Sequence, residues 1–307
     1  MTPSPEPVRY HVTHRTSYAY GLPMADGYTV AYLLPRPTAR QDVVGAEVSV
    51  TPEPDERSER IDVFGNRVLQ MGVHHSHAAL ELLAESEVVV APAEQPRPGE
   101  PWEVAASRIQ ELRGADALAV RPFVGSSQYV PLDELGGELR VIAEEAFMPH
   151  RPVVHGARDL CRYIHETFEY DPTFTEVSTP LSAVLDGRRG VCQDFAHLAT
   201  GCLRALGLAA RYVSGYVETD PPPQRDRLVG ADASHAWCSL WVPQQGWIDV
   251  DPTNDRLPTN RHITVAWGRD YGDVAPVRGV VIGPSVEQDL VVDVEVRRLT
   301  ERTGLTA

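Results

Sequence analysis

Apolar and polar residues alternate through most of the first 92 residues, and this alternation predicts β-strands. The segments concerned are "YHVTHRTSYAY", "YTVAYLLPRP", "VVGAEVSVTP" and "LELLAESEVVVAP". A further segment, "RIDVFGNRVLQMGV", has two apolar runs around a Gly-Asn turn signal, which is typical of a hairpin. Short strands separated by turn signals favour an antiparallel β-sandwich-like domain over residues 1–92.

The pattern changes after residue 92. Residues 93–103, "AEQPRPGEPWE", are polar and rich in proline, so they are the best linker candidate. Apolar residues then recur with helical spacing around 102–113, 131–147 and 155–168. We therefore assign 93–154 to a linker and helical segment. In the third helix Cys161 shares the apolar face, so it is expected in the core.

A second α+β unit follows, predicted over 155–260. The stretch "GRRGVCQDFAHLATGCLRALGL" starts as a Gly-rich loop and continues as a helix from Cys192, with Gly207 as its C-cap. Predicted strands come next, in "AARYVSGYVET", "SHAWCSLWVP" and "GWIDVDPTND". The tail, 261–307, adds strands that complete the fold. The pattern thus predicts a helix packed on an antiparallel sheet.

Composition narrows the range of partners. The formal net charge of −15 argues against nucleic acid and anionic membranes, because both would be repelled. The first residues lack an apolar signal-peptide core, and no apolar run reaches transmembrane length. All four cysteines lie in one stretch of about 80 residues, which favours reduced thiols over a disulfide framework. We therefore expect a cytoplasmic protein; a dimer remains open.

The sequence does not predict a metal site or a cofactor. It contains no CxxC or HxxxH pair, so a zinc site is not expected. One histidine cluster falls at the end of a predicted strand: His74, His75 and His77. A long polar loop carries irregularly spaced carboxylates mixed with arginines, which indicates a solvated loop and not a calcium site: Asp220, Asp226 and Asp232.

Cys192 has a chemical environment that the other cysteines lack. It is predicted at the first turn of a helix, where free peptide N–H groups and the helix dipole stabilise an anion. Gly190 lets the backbone approach closely. Cys202, ten residues later, belongs to the apolar stripe of the same helix and should be inert. Only Cys192 therefore qualifies as a nucleophile.

A nucleophilic thiol needs a base, and the base needs a group that orients it. His235 lies in the predicted strand "SHAWCSLW", and Asp251 ends the following strand, "WIDVDPTN". If these strands are antiparallel neighbours, the two side chains can meet on one face. A Cys–His–Asp order on helix, strand and strand is what a papain-like site requires. From the residues alone, a nucleophile and a structural cysteine both remain open.

Longer motifs carry a resemblance to a known family. The segments "GVCQDFAHLATGCLRALGLAARYVSGY" and "SHAWCSLWVPQQGWIDVDPTN" resemble the transglutaminase-like superfamily core of bacterial proteins. The segments "VTHRTSYAY", "LLPRP" and "VFGNRV" resemble the N-terminal β domain of such proteins, and "RHITVAWGRDYGDVAPVRGVVIG" resembles the part that follows the core. The resemblance implies Cys192 as nucleophile, His235 as general base and acid, and Asp251 as orienter. Asp249 is the competing carboxylate.

The sequence gives less specific evidence for the residues that would support the three catalytic ones. The oxyanion would be held by the Cys192 backbone N–H and a second donor, for which Tyr170 is a candidate; a core position for Tyr170 is the alternative. Gln193 and Asp194 lie in the first helical turn, where a carboxylate suits the dipole. Trp237 and Trp247 are expected to pack.

The implied substrate is a peptide or protein. Hydrolysis of peptide or amide bonds by a cysteine protease or amidase is the first interpretation. The alternatives are a protein-glutamine transamidase and a binding module with a vestigial triad.

Overall fold

Two four-stranded antiparallel sheets form a sandwich. The structure, a computed structural model, describes residues 6–174, 176, 178–219, 234–284 and 287–299. The first sheet has the order β14-β1-β6-β3 and is built from β1 (Val8–Met24), β3 (Gln41–Thr51), β6 (His77–Val90) and β14 (Gln288–Leu299). The second has the order β13-β2-β5-β4 and is built from β2 (Asp26–Ala31), β4 (Glu56–Ile61), β5 (Arg67–Val73) and β13 (Val277–Ile282).

The alternation seen in the sequence is the alternation of burial across the sandwich. Tyr20 and Leu82 of the first sheet share an apolar cluster with Leu69 and Met71 of the second. The hairpin of β4 and β5 turns at Gly65, whose φ of 80° is a conformation that glycine adopts without strain. The predicted β-sandwich-like domain is confirmed.

Helices and one four-stranded sheet make the second unit. The helices are α1 (Trp102–Glu111), α2 (Gly114–Val120), α3 (Leu132–Ala146), α4 (Val153–Thr167), α5 (Leu181–Gly187), α6 (Cys192–Ala205) and α7 (Tyr271–Val274), with a 3-10 turn at Arg121–Phe123. The sheet has the order β11-β10-β9-β12, with strands β9 (Ala210–Val217), β10 (Ser234–Val242), β11 (Gly246–Val250) and β12 (His262–Gly268). A short parallel pair joins β7 (Glu169–Tyr170) to β8 (Arg189–Gly190).

Helix α6 packs on β9 and β10, so the predicted arrangement of a helix on an antiparallel sheet is present. Helices α1 and α3 contribute Ile109 and Leu139 to the same apolar core as Leu198 of α6. The helices assigned from the sequence to 93–154 are therefore part of this core. None of the helices in the described part of the chain has the length and apolar character needed to cross a bilayer.

The C-terminal strands divide between the two units. Strand β12 closes the core sheet next to β9, whereas β13 and β14 return to the sandwich. Strand β14 pairs along β1 from Arg9↔Leu299 to Tyr20↔Gln288. The three strands of the tail, assigned above to one segment over 261–307, thus belong to three different sheets. Local alternation alone does not distinguish these sheets.

Two buried amide side chains connect the sandwich to the core sheet. The Gln41 amide bonds the backbone of Thr264 through both its oxygen and its nitrogen, at 2.8 and 2.7 Å. The Asn66 amide does the same with Trp267, at 3.0 and 2.8 Å. These bonds satisfy backbone groups of β12 that no neighbouring strand pairs, because β12 is the last strand of its sheet.

Candidate active site

Cys192 is the first residue of α6. Val191 before it is extended, with φ −115° and ψ −177°. The Asp194 carboxylate reaches back to accept the Val191 backbone N–H at 2.8 Å, which fixes the first turn. Gly190 makes room for that carboxylate, since a Cβ on Gly190 would lie 2.7 Å from Asp194 Oδ2. The sequence GVCQD thus builds a rigid helix start that presents a partly buried thiol.

Replacing Gly190 with alanine should destabilise this helix start. The added methyl group would contact the Asp194 carboxylate, and we expect a loss of about 1–3 kcal/mol in unfolding free energy, measured by urea titration. Gly137→Ala is the matched control, because its Cβ would meet open space on α3. That control should gain about 0.5–1 kcal/mol. A Gly190→Ala variant as stable as Gly137→Ala would contradict the role given to Gly190.

His235 connects the thiol to a carboxylate. It lies at the start of β10, with only 10% of its side chain exposed, and its Nε2 donates to Asp251 Oδ2 at 2.9 Å. The Cys192 side chain is close enough to His235 to raise its pKa. Since Nε2 is engaged by Asp251, Nδ1 is the ring nitrogen left for the thiol. Pairing of Cys238 with Val250 brings Asp251 to this part of β10.

The Asp251 carboxylate is fully buried and surrounded by donors. Its Oδ1 accepts the backbone N–H groups of Thr253 and Asn254 at 3.0 and 3.2 Å, an Asx-type turn encoded by the local sequence DPTN. Its Oδ2 accepts the Asn254 side-chain N–H at 2.8 Å, in addition to His235. The turn therefore holds the Asp251 carboxylate in place independently of His235.

The ionisation of this pair follows from these contacts. Burial lowers the pKa of His235, but its hydrogen bonds to Asp251 and Cys192, with the charges of both, outweigh burial and raise it to about 10. Burial raises the pKa of Asp251, but hydrogen bonds from His235 and His262 hold it far below its ordinary value. The contacts thus favour a protonated His235 imidazole beside the buried Asp251 carboxylate.

A second histidine, not identified from the sequence, also contacts Asp251. His262 of β12 is buried, and its Nε2 lies 3.2 Å from Asp251 Oδ2. Its Nδ1 accepts the Thr259 backbone N–H at 3.3 Å, so the proton of the neutral ring is on Nε2 and is donated to Asp251. Burial lowers the pKa of His262 despite that bond, which keeps the ring neutral. No local signal in "RHITVAW" marks this histidine.

Removing the His262 imidazole should weaken catalysis without abolishing it. In His262→Phe one hydrogen bond to a charged acceptor is lost, worth about 1.5–3 kcal/mol, so we expect a fall of about tenfold to a hundredfold in kcat. His14→Phe is the control, because that buried histidine bonds Tyr216 and not Asp251. Steady-state kinetics of both variants would decide, and equal activity of His262→Phe and the native protein would contradict the positioning role.

The other predicted residues lie as follows. Tyr170 pairs with Gly190 between β7 and β8 and is 55% exposed, so it is not a core residue. Burial raises the pKa of Tyr170, and the charge of Cys192 raises it further, which places the phenol within electrostatic reach of the thiol. Gln193 is partly buried beside Cys192. An oxyanion role for Tyr170 or Gln193 stays a prediction.

Asp249 does not take the place of Asp251. Its carboxylate faces Arg40 at 3.9 Å. Trp237 is fully buried and lies edge-on to His262, with ring centroids 5.4 Å apart, so it packs as expected. Trp247 is only partly buried and lines a cavity described below.

Three ligand-type atoms of His235, Asp251 and His262 lie within 4.8 Å of one another, a spacing that could hold a metal ion. The same atoms are already joined by the hydrogen bonds to Asp251 Oδ2. Elsewhere, His74 bonds Asp26 at 2.7 Å and His75 bonds Asp55 at 3.0 Å. The loop carboxylates considered for calcium lie outside the described residues: Asp220, Asp226 and Asp232.

Comparison with known proteins agrees with this arrangement. Residues 142–252 match the family model of the transglutaminase-like superfamily, and residues 10–89 match the bacterial transglutaminase-like N-terminal region. An uncharacterized protein of Mycobacterium tuberculosis is 42% identical over 300 residues, covering 94% of this chain and 91% of that protein. A protein-glutamine gamma-glutamyltransferase of Pseudomonas aeruginosa is 36% identical over 123 residues, 39% of this chain and 18% of that protein.

A solved structure shares the whole fold. A candidate cysteine protease from Cytophaga hutchinsonii superposes with a TM-score of 0.74 at 21% identity, covering 97% of this chain and 93% of that one. The N-terminal match lies within the sandwich strands β1 to β6. The core match lies within the unit that carries Cys192, His235 and Asp251. The chain belongs to the transglutaminase-like superfamily and joins a bacterial transglutaminase-like N-terminal region to a transglutaminase-like core.

Proposed function

We propose that the protein is a thiol-dependent acyl-transfer enzyme that hydrolyses peptide or amide bonds. The observation that carries the proposal is that His235 hydrogen-bonds the buried Asp251 and lies beside Cys192, close enough for that thiol to act on its pKa. This is the nucleophile–base–orienter geometry that covalent acyl transfer needs. A peptide or protein is the substrate class that the fold and the site suit best.

The reaction proceeds in two steps. The Cys192 thiolate attacks the substrate carbonyl carbon, and the C–N bond breaks as His235 gives its proton to the leaving amine. This leaves a thioester and a neutral imidazole. His235 then takes a proton from water, the resulting hydroxide attacks the thioester, and the C–S bond breaks to release the acid and the thiolate. The Cys192 backbone N–H, free at the helix start, stabilises the oxyanion in both steps.

A second candidate is transfer of the acyl group to an amine. The similarity to a protein-glutamine gamma-glutamyltransferase over 123 residues favours it. A weaker similarity, 27% over 136 residues, to a mouse peptide-N(4)-(N-acetyl-beta-glucosaminyl)asparagine amidase favours hydrolysis of an amide instead.

One assay separates the two reactions. The protein is incubated with a mixed peptide library, with and without a labelled primary amine, and Cys192→Ala is the blank. Release of ammonia or of new N-termini without added amine supports hydrolysis. Incorporation of the labelled amine, with no release of ammonia or new N-termini when the amine is left out, supports transfer instead.

We place the reaction in the cytoplasm, where Cys192 stays reduced; the four cysteines are all free in the structure.

A further inference from the structure

A large cavity lies between the sandwich and the core sheet, behind the candidate triad. Its volume is about 1630 Å³, and its wall includes Gln41 and Phe64 from the sandwich and Arg211 and Trp247 from the core sheet. His262 also lines it, whereas Cys192 and His235 do not. His262, which contacts Asp251, is therefore shared by the cavity wall and the candidate active site.

A buried guanidinium stands in the wall of this cavity. Arg211 of β9 is only 6% exposed. Its guanidinium carbon lies 3.5 Å from the ring centre of Trp267 and 4.2 Å from that of Trp247, so two indoles pack against it. Its Nε has no hydrogen-bond partner among the described residues. Burial lowers the pKa of Arg211 to about 9, as expected for a cation that is poorly compensated.

Two of the three carboxylates that also line the cavity, those of Asp249 and Asp273, are paired with arginines, and the third belongs to the exposed Glu94. Asp249 is the acidic group that acts on Arg211 through its charge, but its ion pair is with Arg40, at 3.9 Å. Asp273 is held by Arg269 through two hydrogen bonds of 2.9 Å. No ion pair within the described part of the chain includes Arg211. A buried, unpaired cation is costly, and a bound anion would remove that cost.

The surroundings of Arg211 define the shape of the anion. Two tryptophans pack on the guanidinium, and the N–H groups along its edge are its hydrogen-bond donors. An edge of N–H groups matches a planar carboxylate, which accepts two parallel hydrogen bonds. Other parts of the wall are apolar: Val63, Phe64, Leu118, Pro122 and Phe123.

We propose that this cavity binds a small monocarboxylate with an apolar body, its carboxylate paired with the Arg211 guanidinium and its body against the apolar wall. The site is separate from the acyl-transfer chemistry and does not depend on it. The geometry puts such a ligand beside His262, and so next to the hydrogen bonds that hold Asp251.

Isothermal titration calorimetry with 4-phenylbutyrate tests the proposal directly, because it needs no enzymatic activity. The matched neutral probe is 4-phenylbutanamide, which keeps the body and removes the charge. We expect saturable binding of one 4-phenylbutyrate per chain and at least tenfold weaker binding of the amide. Arg211→Gln should weaken 4-phenylbutyrate binding to the level of the amide, while Arg60→Gln, which removes an exposed arginine outside the cavity, should leave it unchanged.

A second variant covers the case in which Arg211→Gln does not fold. Leu118 is 79% exposed and belongs to the cavity lining, so Leu118→Asp places a negative charge there without touching the guanidinium. It should weaken 4-phenylbutyrate binding severalfold more than it weakens amide binding, because both ligands lose the leucine contact but only the carboxylate is repelled by the new charge. The proposal is overturned if the native protein binds neither probe, if it binds both equally, or if folded Arg211→Gln binds the carboxylate as the native protein does.

Discussion

Cys192→Ala should lose acyl-transfer activity by about 10⁴-fold or more, because the nucleophile itself is removed. No other described cysteine can replace the nucleophile, because Cys161, Cys202 and Cys238 are buried. The measurement is turnover of a peptide substrate found in the library assay. Cys202→Ala is the matched control on the same helix, and it should keep its activity. Turnover by Cys192→Ala at the native rate would end the case for a thiol mechanism.

Alkylation tests the same sulfur without a substrate. Iodoacetamide at pH 6 should label Cys192 much faster than Cys202, as followed by peptide mass spectrometry. Cys192 is partly exposed and lies beside His235, whereas burial raises the pKa of Cys161, Cys202 and Cys238. Equally slow labelling of Cys192 and Cys202 would favour a binding module with a vestigial triad.

Asp251→Asn should lower kcat by about 10³–10⁴-fold and also destabilise the protein. An amide at this position would direct N–H groups toward donors, so the N–H groups of His235, His262 or Asn254 would lose their acceptor. Each buried donor left unpaired costs about 1–3 kcal/mol. The control is Asp249→Asn, two residues earlier, which should remain active. Steady-state kinetics and urea unfolding of both variants are the measurements.

The stability difference between native protein and Asp251→Asn should depend on pH. The folded pKa of Asp251 is lowered, so the carboxylate contributes its full stability above the unfolded pKa of about 3.9 and loses it as pH falls toward the folded value. We expect the difference in unfolding free energy to shrink below about pH 4, and also to decrease as pH rises above about 6.5, the unfolded pKa of His235, because the raised folded pKa of His235 depends on Asp251. A difference that stays the same at pH 3 would contradict the assignment of the lowered pKa to Asp251.

Much of the fold is predictable from local patterns. Alternation in β1, β3 and β6 predicts half-buried strands, because one face of each strand meets the second sheet. The predicted helices at 102–113, 131–147 and 155–168 correspond closely to α1, α3 and α4. Short α2 and α5 escape prediction because each has few buried residues to create a period.

Local periodicity, capping and turn signals establish the strands of the sandwich, the start of α6 at Cys192 and the order of Cys192, His235 and Asp251. Packing of the whole chain is needed to establish that β14 returns to β1, that His262 reaches Asp251 and that Arg211 packs against two tryptophans beside a cavity. These contacts join residues that are distant along the chain or lie on different strands. Their physical cause is the pairing and packing of whole elements, which a local pattern of apolar and polar residues does not record.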